Sequence, residues 1–160
     1  MSEIADLLER FRRGGELLAM ATTGAAGPEL DWKAPGKWSV REIACHLSDS
    51  EIVGGQRIRQ IIAEEDPTLQ GFDQDAWARN LDYSRRRISQ AVEMFRRVRA
   101  ENHELLKDLP GEAFARAGTH SERGRLTLLD LLRTYAEHAE NHVVQLREVR
   151  AGYKQSRTTA

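Results

Sequence analysis

Near its C-terminal end the chain reads AEHAENHVVQLREVR, which sets His138 and His142 four positions apart. Residues four apart on a helix are neighbours on one face, so the two imidazoles can aim at a common point and act as paired nitrogen ligands for a divalent ion. Counting from Leu128 through Leu132, Tyr135, Ala139, His142 and Leu146, one histidine lies on the apolar stripe and the other borders it. Buried imidazoles need partners, because an unpaired polar group away from water is costly. Spacing and face leave two readings open: a shared metal, or one ring packed and the other hydrogen-bonded to a neighbouring helix.

A metal needs at least a third ligand. Of the three remaining histidines, His103 shares a face with Arg96, Arg99 and Lys107 and reads as solvated, and His120 lies in the loop THSERG. His46, in REIACHLSDSE, borders the stripe of Ile43 and Leu47. It ranks ahead of His120 as third ligand, although local spacing does not prove the contact. Several residues could support such a site. Asp49 and Glu51 follow His46, and Glu137 flanks the pair; a carboxylate on the far ring nitrogen would fix a ligand's tautomer. Glu51 is the first choice for that place, or for a general acid or base, against the plainer reading of a surface carboxylate. Gln145, one turn beyond His142, could orient a substrate or bond across the bundle. Cys45, the single cysteine, reads as a small core residue rather than a nucleophile. Trp32, Trp38 and Trp77 read as packing at helix ends, and Arg85 to Arg87 with Arg96 and Arg97 as a solvated basic face.

These residues must be positioned by helices, since the apolar residues keep a helical period nearly throughout. A first helix is expected over Glu3 to Ala21, with Gly14 and Gly15 as a weak point. A second should run from Val40 to about Glu64, opened by a capping box at Ser39 and Glu42. Pro67 and Gly71 break the chain after it. A third is expected over Arg85 to Leu109, and a fourth from its cap at Thr127 to about Ala151, before Gly152. Four such helices, each about 30 Å long, predict an all-α, up-down-up-down four-helix bundle, in which helices 2 and 4 run parallel and bring His46 towards the pair. One domain is expected over residues 1–152, followed by a flexible tail, 153–160.

The balance of 24 basic and 25 acidic residues gives a net charge of -1, which argues against a nucleic-acid or membrane-surface partner. No stretch approaches the roughly 18 apolar residues of a membrane span, and the first twenty residues lack the apolar run of a signal peptide. A cytoplasmic protein acting on small molecules is expected.

The stretches GKWSVREIACHLSDSE, THSERGRLTLLDLL and AEHAENHVVQL together resemble the DinB-like superfamily of bacterial four-helix bundles, close to its YfiT-type branch. The resemblance implies a divalent metal, nickel or zinc, held by His46, His138 and His142. It further implies a metal-dependent enzyme, a transferase activating a low-molecular-weight thiol such as mycothiol or bacillithiol, or a hydrolase, and a homodimer. A non-catalytic stress-response module with a structural histidine site is the alternative. An accessible pocket beside the metal, lined by groups other than its ligands, would separate the two.

Overall fold

The computed structural model describes residues 2–159. Four long helices form the bundle: α1 (Glu3–Thr22), α2 (Val40–Ala63), α4 (Ile88–Leu106) and α5 (Leu128–Thr158), with a short α3 (Gln74–Asn80) between α2 and α4. Their starts follow local chemistry. Ser39 and Glu42 close a capping box on α2, and Thr127 and Asp130 close another on α5. The apolar stripes meet in two layers. Leu7, Phe11, Ile58, Ile61, Leu106 and Leu132 fill one end, and Leu18, Ile43, Leu47, Phe95, Val143 and Leu146 the other.

The four-helix bundle is as expected, but its order in space is not up-down-up-down. Arg10 bonds Glu140 and Arg150 reaches Ala21 O, so α1 and α5 run parallel. Glu51 meets Arg99, and Arg41 donates to Arg86 O, so α2 and α4 also run parallel. His46 meets His138 while Arg57, further along α2, meets the earlier Tyr135; α2 and α5 are therefore antiparallel. Phe11 O accepts from Arg99, whereas the later Gly15 packs on the earlier Arg96, which makes α1 and α4 antiparallel. The order is up-down-down-up, with α1 and α2 across the diagonal. The physical reason lies in residues 64–87. A connector of roughly two dozen residues easily returns along a bundle about 30 Å long, so α4 is not forced to reverse α2 as a short turn would require.

That connector carries structure the periodicity did not show. It holds β1 (Thr68–Leu69), which pairs in parallel with β2 (Ala117–His120), itself antiparallel to β3 (Gly124–Thr127). The small sheet sits at the end where α5 begins. The third bundle helix is shorter at both ends than expected. The last is longer, continuing through Gly152 to Thr158. Gly152 does not cap it: a Cβ there would stand 2.9 Å from the Trp32 ring, so the glycine admits close packing of Trp32 on the helix. Among the described residues, no helix is long and apolar enough to cross a membrane.

Candidate metal centre

Helix α2 supplies His46, and α5 supplies His138 and His142 one turn apart. Because α2 and α5 are antiparallel neighbours, the first third of one meets the middle of the other, and the three imidazoles converge. One ligand atom from each lies within 4.8 Å of the other two. His46 Nε2 and His138 Nε2 are 3.0 Å apart, and the His46 and His142 ring centroids 4.7 Å. His46 is fully buried; the other two are partly so. Trp38 meets the His46 ring edge-on with centroids 4.9 Å apart, which closes one side of the cluster.

Burial sets the charge of these rings. Desolvation, reinforced by the neighbouring imidazoles, pushes the His46 pKa down to about 3 from an ordinary 6.5. His138 falls to about 3 for the same reason, helped by the Arg99 charge, and His142 is lowered by burial against a raising contribution from Gln145. Neutral imidazole is the ligand form. The tautomer of His142 is fixed: its Nδ1 lies 2.7 Å from Gln145 Oε1, which can only accept, so Nδ1 carries the proton and Nε2 keeps its lone pair. Three neutral imidazoles, with no carboxylate bonded to them, suit a divalent ion of the zinc or nickel type. Two Nε2 atoms at 3.0 Å already have the spacing that two bonds of about 2.1 Å to one ion would produce.

The remaining candidates fall elsewhere. Glu51 does not reach the imidazoles. Its Oε1 accepts from Arg99 Nε at 2.9 Å and Asn102 Nδ2 at 3.0 Å, and its Oε2 from Arg99 Nη2 at 2.8 Å. Asp49 accepts from Tyr83 Oη and Arg86, and Glu137 is exposed. The orienting group on a far ring nitrogen is thus an amide, Gln145, rather than a carboxylate. His120 is buried at the end of β2, where its Nδ1 accepts from the backbone N–H of Glu122 and Arg123 and staples the turn. It has a fixed place, away from the triad. Burial pushes the Cys45 thiol up to about 11, which removes it as a thiolate nucleophile. Arg99, read as solvated, is 1% exposed.

A cavity of about 180 Å³ opens beside the triad, lined by His46 and His138 together with Ser50, Arg57, Phe72 and Tyr135. Its outer wall comes from the 64–87 connector through Phe72, which packs on Trp77. Arg57 Nη1 donates to Tyr135 Oη at 3.0 Å, and Nη2 to Gln70 O at 2.6 Å. The sequence reading passed over Arg57. The available signal was its register: eleven residues from His46 it returns to the same face of α2, on the stripe of Gly54 and Ile58, where an arginine is out of place unless it has a task. Gly54 makes the arrangement possible, because a Cβ there would stand 2.6 Å from Tyr135 Cζ.

Comparison with known proteins follows this geometry. A protein of Oceanobacillus iheyensis, provisionally named a metal-dependent hydrolase, is 28% identical over 111 residues, covering 69% of this chain and 64% of the relative. YfiT of Bacillus subtilis, with the same provisional name, is 26% identical over 115 residues, 71% of this chain and 65% of its own. The match therefore spans a little under two thirds of these relatives. The solved structure of YfiT, described as having an unusual four-helix bundle topology, superposes with a TM-score of 0.89 at 22% identity, over 96% of this chain and 90% of that one. A family model for the DinB superfamily matches residues 10–146, a span that includes all three histidines. The chain belongs to the DinB superfamily.

Proposed function

We propose that the chain is a metal-dependent enzyme of small-molecule chemistry, with one divalent ion held by His46, His138 and His142. The observation that carries this reading is the cavity: a closed structural site would need no space beside the ligands, whereas here about 180 Å³ adjoins two of them and is lined by a guanidinium and hydroxyls. Three protein ligands leave positions for other molecules. A zinc or nickel ion so bound supplies Lewis acidity and lowers the pKa of a coordinated water to about 7, or holds a thiol as thiolate.

The chain's own residues supply the rest. Gln145 keeps His142 in the tautomer that presents Nε2. Trp38 and the Leu47 and Val143 layer exclude bulk water from the buried side of the triad. Tyr135 Oη accepts from Arg57 and so keeps its own proton to donate to a substrate oxygen in the cavity. The names of the relatives favour water as the nucleophile, and thus hydrolysis; a low-molecular-weight thiol in the same position would give transfer. Zinc-loaded and nickel-loaded protein assayed against small esters and amides, with and without bacterial thiols, decides between them. Turnover without thiol, lost in His138→Ala, supports hydrolysis; turnover only with thiol supports transfer. Background rates throughout, with metal bound, would favour a structural site.

A further inference from the structure

Arg57 is only 8% exposed, and among the described residues no carboxylate lies within the 4.0 Å of an ion pair with it. The rest of the chain shows what a guanidinium in this fold normally finds. Arg10, Arg12, Arg41 and Arg99 each turn the fork of Nε and Nη2 onto both oxygens of one carboxylate, those of Glu140, Glu9, Asp31 and Glu51. Arg57 has the same fork with no carboxylate across it. Its Nη groups are held by Tyr135 Oη and Gln70 O, and its Nε is buried without a partner. Anchoring the connector at Gln70 explains one Nη2 bond; it does not explain an unneutralised buried charge with an unsatisfied donor, both of which cost free energy.

Among the described residues, no acidic side chain lines the adjoining cavity. Its polar lining is one cation and neutral groups: the Arg57 guanidinium, the Tyr135, Ser50 and Thr134 hydroxyls, the Gln74 amide, and the imidazoles of His46 and His138. At about 180 Å³ it has space for a small organic acid.

We propose that Arg57 and Tyr135 form the seat for the carboxylate of a small anionic substrate, whose remaining atoms lie against His46 and His138. As an account of substrate class this rests on the metal-centre reading, but the seat itself needs no metal. The guanidinium supplies the charge and the geometry for two carboxylate oxygens, and the Tyr135 hydroxyl, already accepting from Arg57, donates the third bond. The carboxylate fills the place that Glu51 fills for Arg99, and so neutralises the buried arginine that has no acidic partner among the described residues. Neutral analogues of the same shape bind more weakly because they leave the charge unpaired.

Calorimetric titration of the full chain with propionate, propionamide and inorganic phosphate tests this, each in chelator-treated and zinc-loaded protein. Propionate should bind both forms, propionamide roughly tenfold or more weakly, and Arg57→Gln should weaken propionate by a similar factor in both, with Arg57→Lys in between. Tyr135→Phe should weaken it by a few-fold. Phosphate binding more tightly than propionate would overturn the carboxylate assignment. Propionamide binding as well as propionate would overturn the seat even if Arg57→Gln failed to fold, and so would unchanged affinity in a folded Arg57→Gln. Binding that appears only with zinc and survives Arg57→Gln would place the anion on the ion, overturning the seat and leaving the metal centre intact. Failure to take up zinc, with Arg57-dependent binding in the metal-free form, would do the reverse.

Discussion

Arg99 and Glu51 form a two-point ion pair in the middle of the bundle, at 2.9 and 2.8 Å, with both side chains 2% exposed. The guanidinium lies over the rings of Phe11 and Phe95, at 4.0 and 4.8 Å from their centroids, and also donates to Phe11 O and Tyr135 O. One side chain therefore ties α4 to α1, α2 and α5. We propose that the pair serves as a structural joint close to the three histidines.

Removing one member should cost stability. Breaking a buried pair leaves an uncompensated charge, worth about 3 to 5 kcal/mol. Glu51→Gln should lower the urea-derived unfolding free energy by about that amount, and Glu51→Leu combined with Arg99→Met should recover much of it. A fully stable Glu51→Gln that loses all turnover would instead make Glu51 a catalytic group.

The depressed histidines make the metal-free protein acid-sensitive. His46 and His138 titrate at about 3 in the fold and near 6.5 when unfolded, so between these values the unfolded chain binds protons that the native one does not. Stability is therefore undiminished above pH 6.5 and falls as the pH drops towards 3, by on the order of 1 kcal/mol per unit for each histidine. Chemical denaturation of chelator-treated protein from pH 7 to 4.5 should show a steeper decline for wild type than for His138→Gln. Parallel declines would refute the cause.

Gly54 faces the Tyr135 ring. In an exposed helix, alanine would gain about 1 kcal/mol over glycine, but a Cβ 2.6 Å from Tyr135 Cζ forces repacking that costs about 1 to 3 kcal/mol. Gly54→Ala should therefore lower the melting temperature and weaken any ligand of the cavity; a rise would show that Tyr135 moves freely.

Gln145→Leu removes the acceptor for His142 Nδ1–H. Loss of such an orienting bond costs about 10- to 100-fold in metal affinity, readable by competition with a chromogenic chelator. Unchanged affinity would mean that packing alone holds the ring.

What the sequence made legible was local. The spacing of His138 and His142, and the caps at Ser39 and Thr127, are decided by residues three or four apart, and these patterns appear in the structure as read. Relations between distant elements were not. The direction of α4 depends on the path of the 64–87 connector, whose strand and short helix carry too few residues for a periodic signal. Arg99 sits among residues of a solvated face, and its burial follows from Gly14 on α1, where a Cβ would collide with the Arg99 guanidinium. Read on its own, that glycine was only a weak point in a helix. Gly152 misled for the same reason: its role depends on Trp32, far away in sequence.

The central claim is that His46, His138 and His142 hold one divalent ion. Zinc and nickel titration of chelator-treated protein, followed by elemental analysis after desalting, tests it most directly. The account predicts one ion per chain in the wild type, and a large loss of affinity in each of His46→Ala, His138→Ala and His142→Ala, with the helical circular dichroism signal retained. Wild-type protein that takes up neither metal, or a His46→Ala variant that binds as tightly as wild type, would contradict it.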